Sequence, residues 1–261
     1  MNIKEIINKI NIYNLMIFSL SIFFIIGVIV FGWKNTVPQV LIAVLISTLL
    51  DSIIKYYKIK TFKISKSGII TGFFIGLVLA TNQNFYVPLF ASFIAIAGKH
   101  FGIYLMNLIK QRNHIFNPAM MGIFISILLF KTSDGWWGAV NFIAVILLSL
   151  LILYKFKRFN LTLSFLVTYF LVLFLIKLSF NDLSGFENRF LDSTIYFFAS
   201  FMLIEPKTSP TNYKGRIFYG IISGIIIALF TIFFPQYTLT LGLIVSNIFV
   251  PFINHFTISK I

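Results

Sequence analysis

The chain has 261 residues, of which 59% are hydrophobic and 11% charged, and it contains no cysteine. Soluble domains carry about 25% charged residues, so this balance, with a mean hydropathy of +0.95, excludes a soluble globular domain and identifies an all-α polytopic membrane protein; the missing thiols exclude disulfides, thiolate metal sites and cysteine-ligated clusters within the chain. The net charge of +14 falls between apolar runs rather than on one face, which is topology signal and not a nucleic-acid surface.

Residues 1–14 place Ile3, Ile6, Ile7 and Ile10 at helical spacing, with Lys4 and Lys9 on other faces, the pattern of an amphipathic interfacial helix. Leu15–Trp33 is too long for a signal-peptide core and lacks a small-x-small cleavage site, so it is the first membrane segment. The second is expected over Val40–Tyr57, after Pro38 and with Asp51 towards its end. A basic loop, Lys58–Ser67, leads to a short third segment, Gly68–Ala80, in which Gly72 and Gly76 form a G-x-x-x-G face. The uncharged stretch Thr81–Tyr86 reads as a turn, and Pro88 opens a fourth segment ending near Ala97. Gly98–Asn113 reads as a polar-basic connector, and the fifth segment runs from Asn117-Pro118-Ala119 to about Lys131. Segments six to ten are expected at 138–154, 161–178, 191–204, 215–234 and 237–256.

Ten crossings suit a hydrocarbon core of about 30 Å, the shortest only where the bilayer thins or the helix breaks. On this map seventeen Lys and Arg fall on the side of the N-terminus and four, Lys34, Lys131, Lys177 and Arg189, on the other. That asymmetry places both termini in the cytoplasm of a multi-pass cell-membrane protein. Residues 15–261 form one transmembrane domain with halves at about 15–131 and 138–257, and an odd number of segments per half implies an inverted repeat.

Two Pro-containing polar elements interrupt the apolar pattern: Asn113–Gly122 (N-H-I-F-N-P-A-M-M-G) and Glu205–Thr211 (E-P-K-T-S-P-T). Irregular backbone at membrane depth is tolerated only where protein or water covers it, so the site is expected here, in His114, Asn117, Pro118, Glu205, Thr208, Ser209 and Thr211. Each also has a plainer role. Asn117-Pro118 can cap and start segment five, or leave helix N–H groups facing a ligand. Thr208, Ser209 and Thr211 suit ordinary turn chemistry, and Glu205 has Lys207 and Arg216 close by in sequence. Asp51, an acid within a membrane segment, is the ion-pathway candidate, although Lys55 one helical turn on offers an ion pair. His100 and His114 are too few ligands for a metal. Trp136 and Trp137 suit an outer aromatic belt. No acid–base or nucleophilic set is visible, so no catalytic residue is assigned.

The motifs Ser67-Gly68-Ile69-Ile70-Thr71-Gly72, Gly98-Lys99-His100, His114-Ile115-Phe116-Asn117-Pro118-Ala119 with Gly122, Glu205–Thr211 with Gly215 and Tyr219-Gly220, and Asn247-x-Phe249-Val250-Pro251 follow one another in order. Together they resemble the family that contains the RnfD protein of the Rnf complex and the NqrB protein of the sodium-pumping NADH:quinone reductase, from about residue 40 onwards. Asp51 also sits where that family has an acid. The resemblance implies a ten-helix fold with inverted repeats similar to urea and ammonium transporters. It further implies bound flavin, electron transfer across the membrane with sodium or proton coupling in some members, and other membrane subunits or flavin-carrying electron-transfer proteins as partners. One departure stands out. The family's well-studied members attach flavin phosphate to a Thr in an S-G-A-T stretch after the fifth segment, whereas this chain has Lys131-Thr132-Ser133-Asp134-Gly135-Trp136-Trp137-Gly138 and no S-G-A-T anywhere. Riboflavin or FMN is therefore expected to bind without a covalent link, with Trp136 and Trp137 as stacking candidates. The same fold leaves open a transporter or channel for flavin or another small solute, and a purely structural subunit.

Overall fold

The computed structural model describes residues 9–81, 84–108 and 115–257, with backbone alone for 106–108. Most of the expected interfacial helix, the tip of the Thr81–Tyr86 turn and His114 lie outside the described residues. Among those described there is no strand, and one isolated antiparallel bridge joins Leu79 to Asp134. The chain forms two compact units, 1–101 with 118–156, and 102–117 with 157–261.

The first unit holds α1 (Ile12–Phe31), α2 (Trp33–Ile59), α3 (Lys66–Val78), most of α4 (Tyr86–Leu108), α5 (Pro118–Phe130) and α6 (Phe142–Phe156). Asn11 caps α1 by accepting from the Tyr13 N–H. The second segment, expected from Val40, starts at Trp33 instead: the link from α1 is the single residue Gly32, at φ 82°, a conformation open to glycine, and Pro38 lies inside α2. α3 packs tightly on α2, where a Cβ on Gly72 would stand 2.6 Å from the Ala43 carbonyl. α3 stops at Val78, and its open end is closed by neighbours. The Gln39 amide donates to the carbonyls of Gly76 (2.8 Å) and Leu79 (3.1 Å). The N–H groups of Gly135 and Trp136 donate to Val78, at 2.8 and 3.0 Å.

Two expectations are corrected here. Trp136 and Trp137 do not form an outer belt, because both are buried; Trp137 stands edge-on to Phe24 and Phe31. Residues 98–108 are not a separate connector, because α4 continues through them to Leu108. Lys99 turns inward to a buried carboxylate, so polarity at this point does not mark a helix end.

The second unit holds α7 (Phe159–Ser179), α8 (Phe186–Phe190), α9 (Ser193–Phe197), α10 (Tyr213–Phe233), α11 (Thr238–Ile248) and α12 (Val250–Thr257). α9 runs into a π-helical turn, Phe198–Met202, in which the Leu203 N–H reaches back five residues to Phe198 (3.0 Å). α7 and α10 pack side by side and parallel. Leu161 and Phe165 meet Gly220, Phe165 and Thr168 meet Gly224, and a Cβ on Gly220 would sit 2.6 Å from the Leu161 carbonyl. α11 and α12 are bent by 40° beside Pro251, whose ring nitrogen cannot donate to the preceding turn.

Five helices, α1, α2, α4, α7 and α10, are long and apolar enough to cross a membrane, and the bent α11–α12 pair makes six. Four shorter apolar helices, α3, α5, α6 and Ser193–Met202, complete the ten expected positions, but a 13-residue helix reaches only about 20 Å against a core of about 30 Å. Leu41, Leu45, Leu49 and Ile53 of α2, and Leu163, Val167, Leu171 and Leu175 of α7, stand exposed at four-residue spacing. Ser47 and Asp51 on the opposite face of α2 are buried. An apolar stripe outside and polar groups inside is the arrangement that lipid as solvent favours. The chain is a polytopic helical membrane protein.

Candidate functional site

In the second unit, the breaks in sequence at Asn117, Glu205–Thr211 and Asn247 close on one hydrogen-bonded network. Asn247 is fully buried at the end of α11. Its side-chain oxygen accepts from the Asn117 N–H (3.0 Å). Its amide donates to the Thr208 carbonyl (3.1 Å) and the Tyr219 hydroxyl (2.7 Å). One residue thereby ties together the stretch before α5, the Glu205–Thr211 turn and α10. α11 ends one residue later, at Ile248, before the break at Phe249.

Glu205 is half-buried, and its carboxylate accepts from the Asn117 amide (2.8 Å) and the Thr208 hydroxyl (3.3 Å). The Ser209 hydroxyl donates to the Glu205 carbonyl (2.7 Å), and Arg158 donates to the Ser209 hydroxyl (3.1 Å) and the Pro210 carbonyl (2.7 Å). Of the candidates, Asn117, Glu205, Thr208 and Ser209 therefore belong to one cluster. Thr211 is exposed and contributes its carbonyl to Arg216 (2.7 Å). Pro118 is the first residue of α5, and His114 lies outside the described residues. Arg216, one of the cations close to Glu205 in sequence, donates to the carbonyls of Lys157 and Thr211. Asn247, Tyr219 and Arg158 were not among the candidates. The signal for Asn247 was its place before a proline inside an apolar run, whereas Arg158 was indistinguishable from the other topology-setting cations.

Asp51 is the centre of a separate cluster in the first unit. It is fully buried near the end of α2. One oxygen accepts from Lys55 (2.8 Å), Lys99 (2.9 Å), Ser67 (3.0 Å) and the Ser65 hydroxyl. The other meets His100 Nε2 (2.8 Å). Ser65 also caps α3 by accepting from the Gly68 N–H (3.1 Å), so the carboxylate sits at a helix N-terminus, where negative charge is favoured. The exposed Lys58 lies 3.3 Å from His100 Nδ1. A lysine can only donate, so this network fits an imidazole carrying its proton on Nε2. The expected Asp51–Lys55 pair is present, within a larger set of α4 and α3 groups. As a cation site it is already filled by two ammonium groups.

Among known proteins, the model of the NQR2, RnfD, RnfE family matches residues 124–261. The chain belongs to that family. The match takes in Glu205–Thr211, Tyr219 and Asn247, and begins after Asn117-Pro118-Ala119. No curated protein matches the chain. Membership of the NQR2, RnfD, RnfE family supports a subunit of a membrane electron-transfer complex, with other membrane subunits as partners.

Proposed function

We propose that the chain is the membrane subunit of an Rnf-like electron-transfer system that holds riboflavin or FMN non-covalently and passes electrons across the cell membrane. In this reading it crosses the bilayer ten times in two inverted five-segment halves, with both termini in the cytoplasm. The observation that supports it, beyond family membership, is the donor and acceptor order around Glu205. The Asn117 amide and the Thr208 hydroxyl both donate to one oxygen of the Glu205 carboxylate, which gathers two donors and an acceptor at one point. The pyrimidine edge of a flavin presents the complement, one N–H between two carbonyls. The 3.3 Å Thr208 bond is long for a hydroxyl donor, and Glu205 is half-buried, so a ligand edge displaces that contact at modest cost and takes the Asn117 amide through its second N–H or in exchange for the 2.8 Å bond to the carboxylate. Bound there, the flavin supplies the electron chemistry. Asn117, Glu205 and Thr208 orient it, while Asn247 and Ser209 fix those three. Ion coupling through Asp51 requires an incoming ion or proton to displace Lys55 or Lys99.

The test is the absorbance spectrum of detergent-purified protein before and after acid precipitation. Flavin bands that pass to the supernatant are expected, and Glu205→Gln, which offers the flavin N–H a weaker neutral acceptor, is expected to retain flavin about tenfold less tightly. Bands that stay with the pellet would overturn non-covalent binding. Folded protein with no flavin bands would overturn the cofactor and favour a solute transporter on the same scaffold.

A further inference from the structure

A second cluster of charge in the 102–117 and 157–261 unit lies beside the Glu205 network. Arg158, 5% exposed, precedes α7 at its N-cap position, and Arg216 lies in the first turn of α10. Arg158 spans to Ser209 and Pro210, and Arg216 spans from Lys157 (3.0 Å) to Thr211 (2.7 Å). The two guanidinium groups therefore bracket the same two turns, 157–158 and 209–211. Every acceptor they use is neutral. Among the described residues neither meets a carboxylate; the ion pairs there centre on Asp51 and Asp192.

Three further observations point the same way. Arg216 Nε is buried without an acceptor, an outcome native structures rarely leave unused. α7 and α10 start at the same end, with the Asn160 amide donating to the Tyr213 carbonyl (3.2 Å). The positive ends of two helix dipoles therefore converge on the arginine pair. Burial and the charge of Arg216 push the Arg158 guanidinium down to about 10, as expected where cations gather without an internal counter-charge. Lys157, Lys207 and Lys214 extend the field along the same turns. Forked donors beside helix N-termini are the recognition chemistry of phosphate.

We propose that Arg158 and Arg216 form a binding site for a phosphate group carried by a larger molecule, either a phospholipid headgroup or the phosphate of FMN. The site does not depend on the flavin reading, because a headgroup needs no cofactor.

The full chain in detergent separates the two sources. Binding of FMN is compared with riboflavin by flavin fluorescence. Thermal stabilisation by phosphatidylglycerol is compared with that by phosphate-free monogalactosyldiacylglycerol. In at least one pair the phosphate-bearing molecule is expected to bind about tenfold tighter or more, the worth of one charge-assisted contact. That preference is expected to vanish in Arg216→Gln and to shrink in Arg158→Lys. Lys214→Gln, on the same turn but outside the bracket, is expected to keep it. Arg216 is only partly buried, so its variant retains the fold even where Arg158 variants do not. A preference for FMN assigns the flavin phosphate, and one for phosphatidylglycerol assigns the headgroup. No preference in either pair, persistence in Arg216→Gln, or equal loss in Lys214→Gln would overturn the site. Riboflavin and FMN bound equally would remove the flavin source here while leaving the Glu205 reading intact.

Discussion

Asp51 receives five side chains on two oxygens, and this decides what its loss does. Lys99 is 4% exposed; removing the carboxylate takes away a counter-charge 2.9 Å from its ammonium, and breaking a buried pair from one side costs about 3–5 kcal/mol. Asp51→Asn is therefore expected to lower stability in detergent by that order. Asp51→Asn with Lys99→Met, which removes both charges, is expected to recover a large part of it. Thermal unfolding of the single and double variants measures this, and a double variant no more stable than Asp51→Asn alone would show that charge is not what the cluster balances. The Lys55 partner was legible because it lies one helical turn away. Lys99 and His100 lie 48 and 49 positions away, and one sequence carries no trace of such adjacency. The same gap hid one donor to Glu205, Asn117, which comes from 88 positions away.

At the scale of the element, interruptions were legible where a residue type forces them. Pro118 starts α5, as its place before an apolar run suggested, whereas the bend between α11 and α12 beside Pro251 divides a stretch, 237–256, that was expected as one segment. The π-helical turn at Phe198–Met202 was not legible either, because Phe-Ala-Ser-Phe-Met contains no Pro or Gly and reads as plain helix. The Gly72–Gly76 face was read correctly as a packing surface, Gly220 and Gly224 make a second one on α10, and both differ from solitary glycines in a measurable way. Gly220→Ala places a methyl 2.6 Å from the Leu161 carbonyl, so α7 and α10 must part, at about 1–3 kcal/mol. Gly102, within α4, has nothing within 4 Å of such a methyl. There the same change is expected to be neutral or to stabilise by up to about 1 kcal/mol through helix propensity. Melting temperatures of the two variants compare these directly. Equal losses would mean that the α7–α10 contact is looser than its geometry.

For the whole molecule, the arrangement in the bilayer is the consequence with the widest reach, because it fixes which loops meet which aqueous phase. The topology proposed above would put the Lys58–Ser67 loop and the Glu205–Thr211 turn on one side, and the loops holding Ser133 and Ser184 on the other. Helix length cannot decide this, since α3, α5 and α6 are too short to be counted by length, and a single miscounted crossing reverses everything after it. The absence of cysteine makes the question direct, because one introduced cysteine is the sole thiol in the chain. Lys63, Ser133, Ser184 and Lys207 are all exposed, so replacing each in turn is expected to cost within about 0.5 kcal/mol. With a membrane-impermeant maleimide added to intact cells, Ser133→Cys and Ser184→Cys are expected to label. Lys63→Cys and Lys207→Cys are expected to label only after the membrane is opened. Lys63 and Lys207 labelling from opposite sides would remove the even count of crossings between them, and with it the inverted repeat.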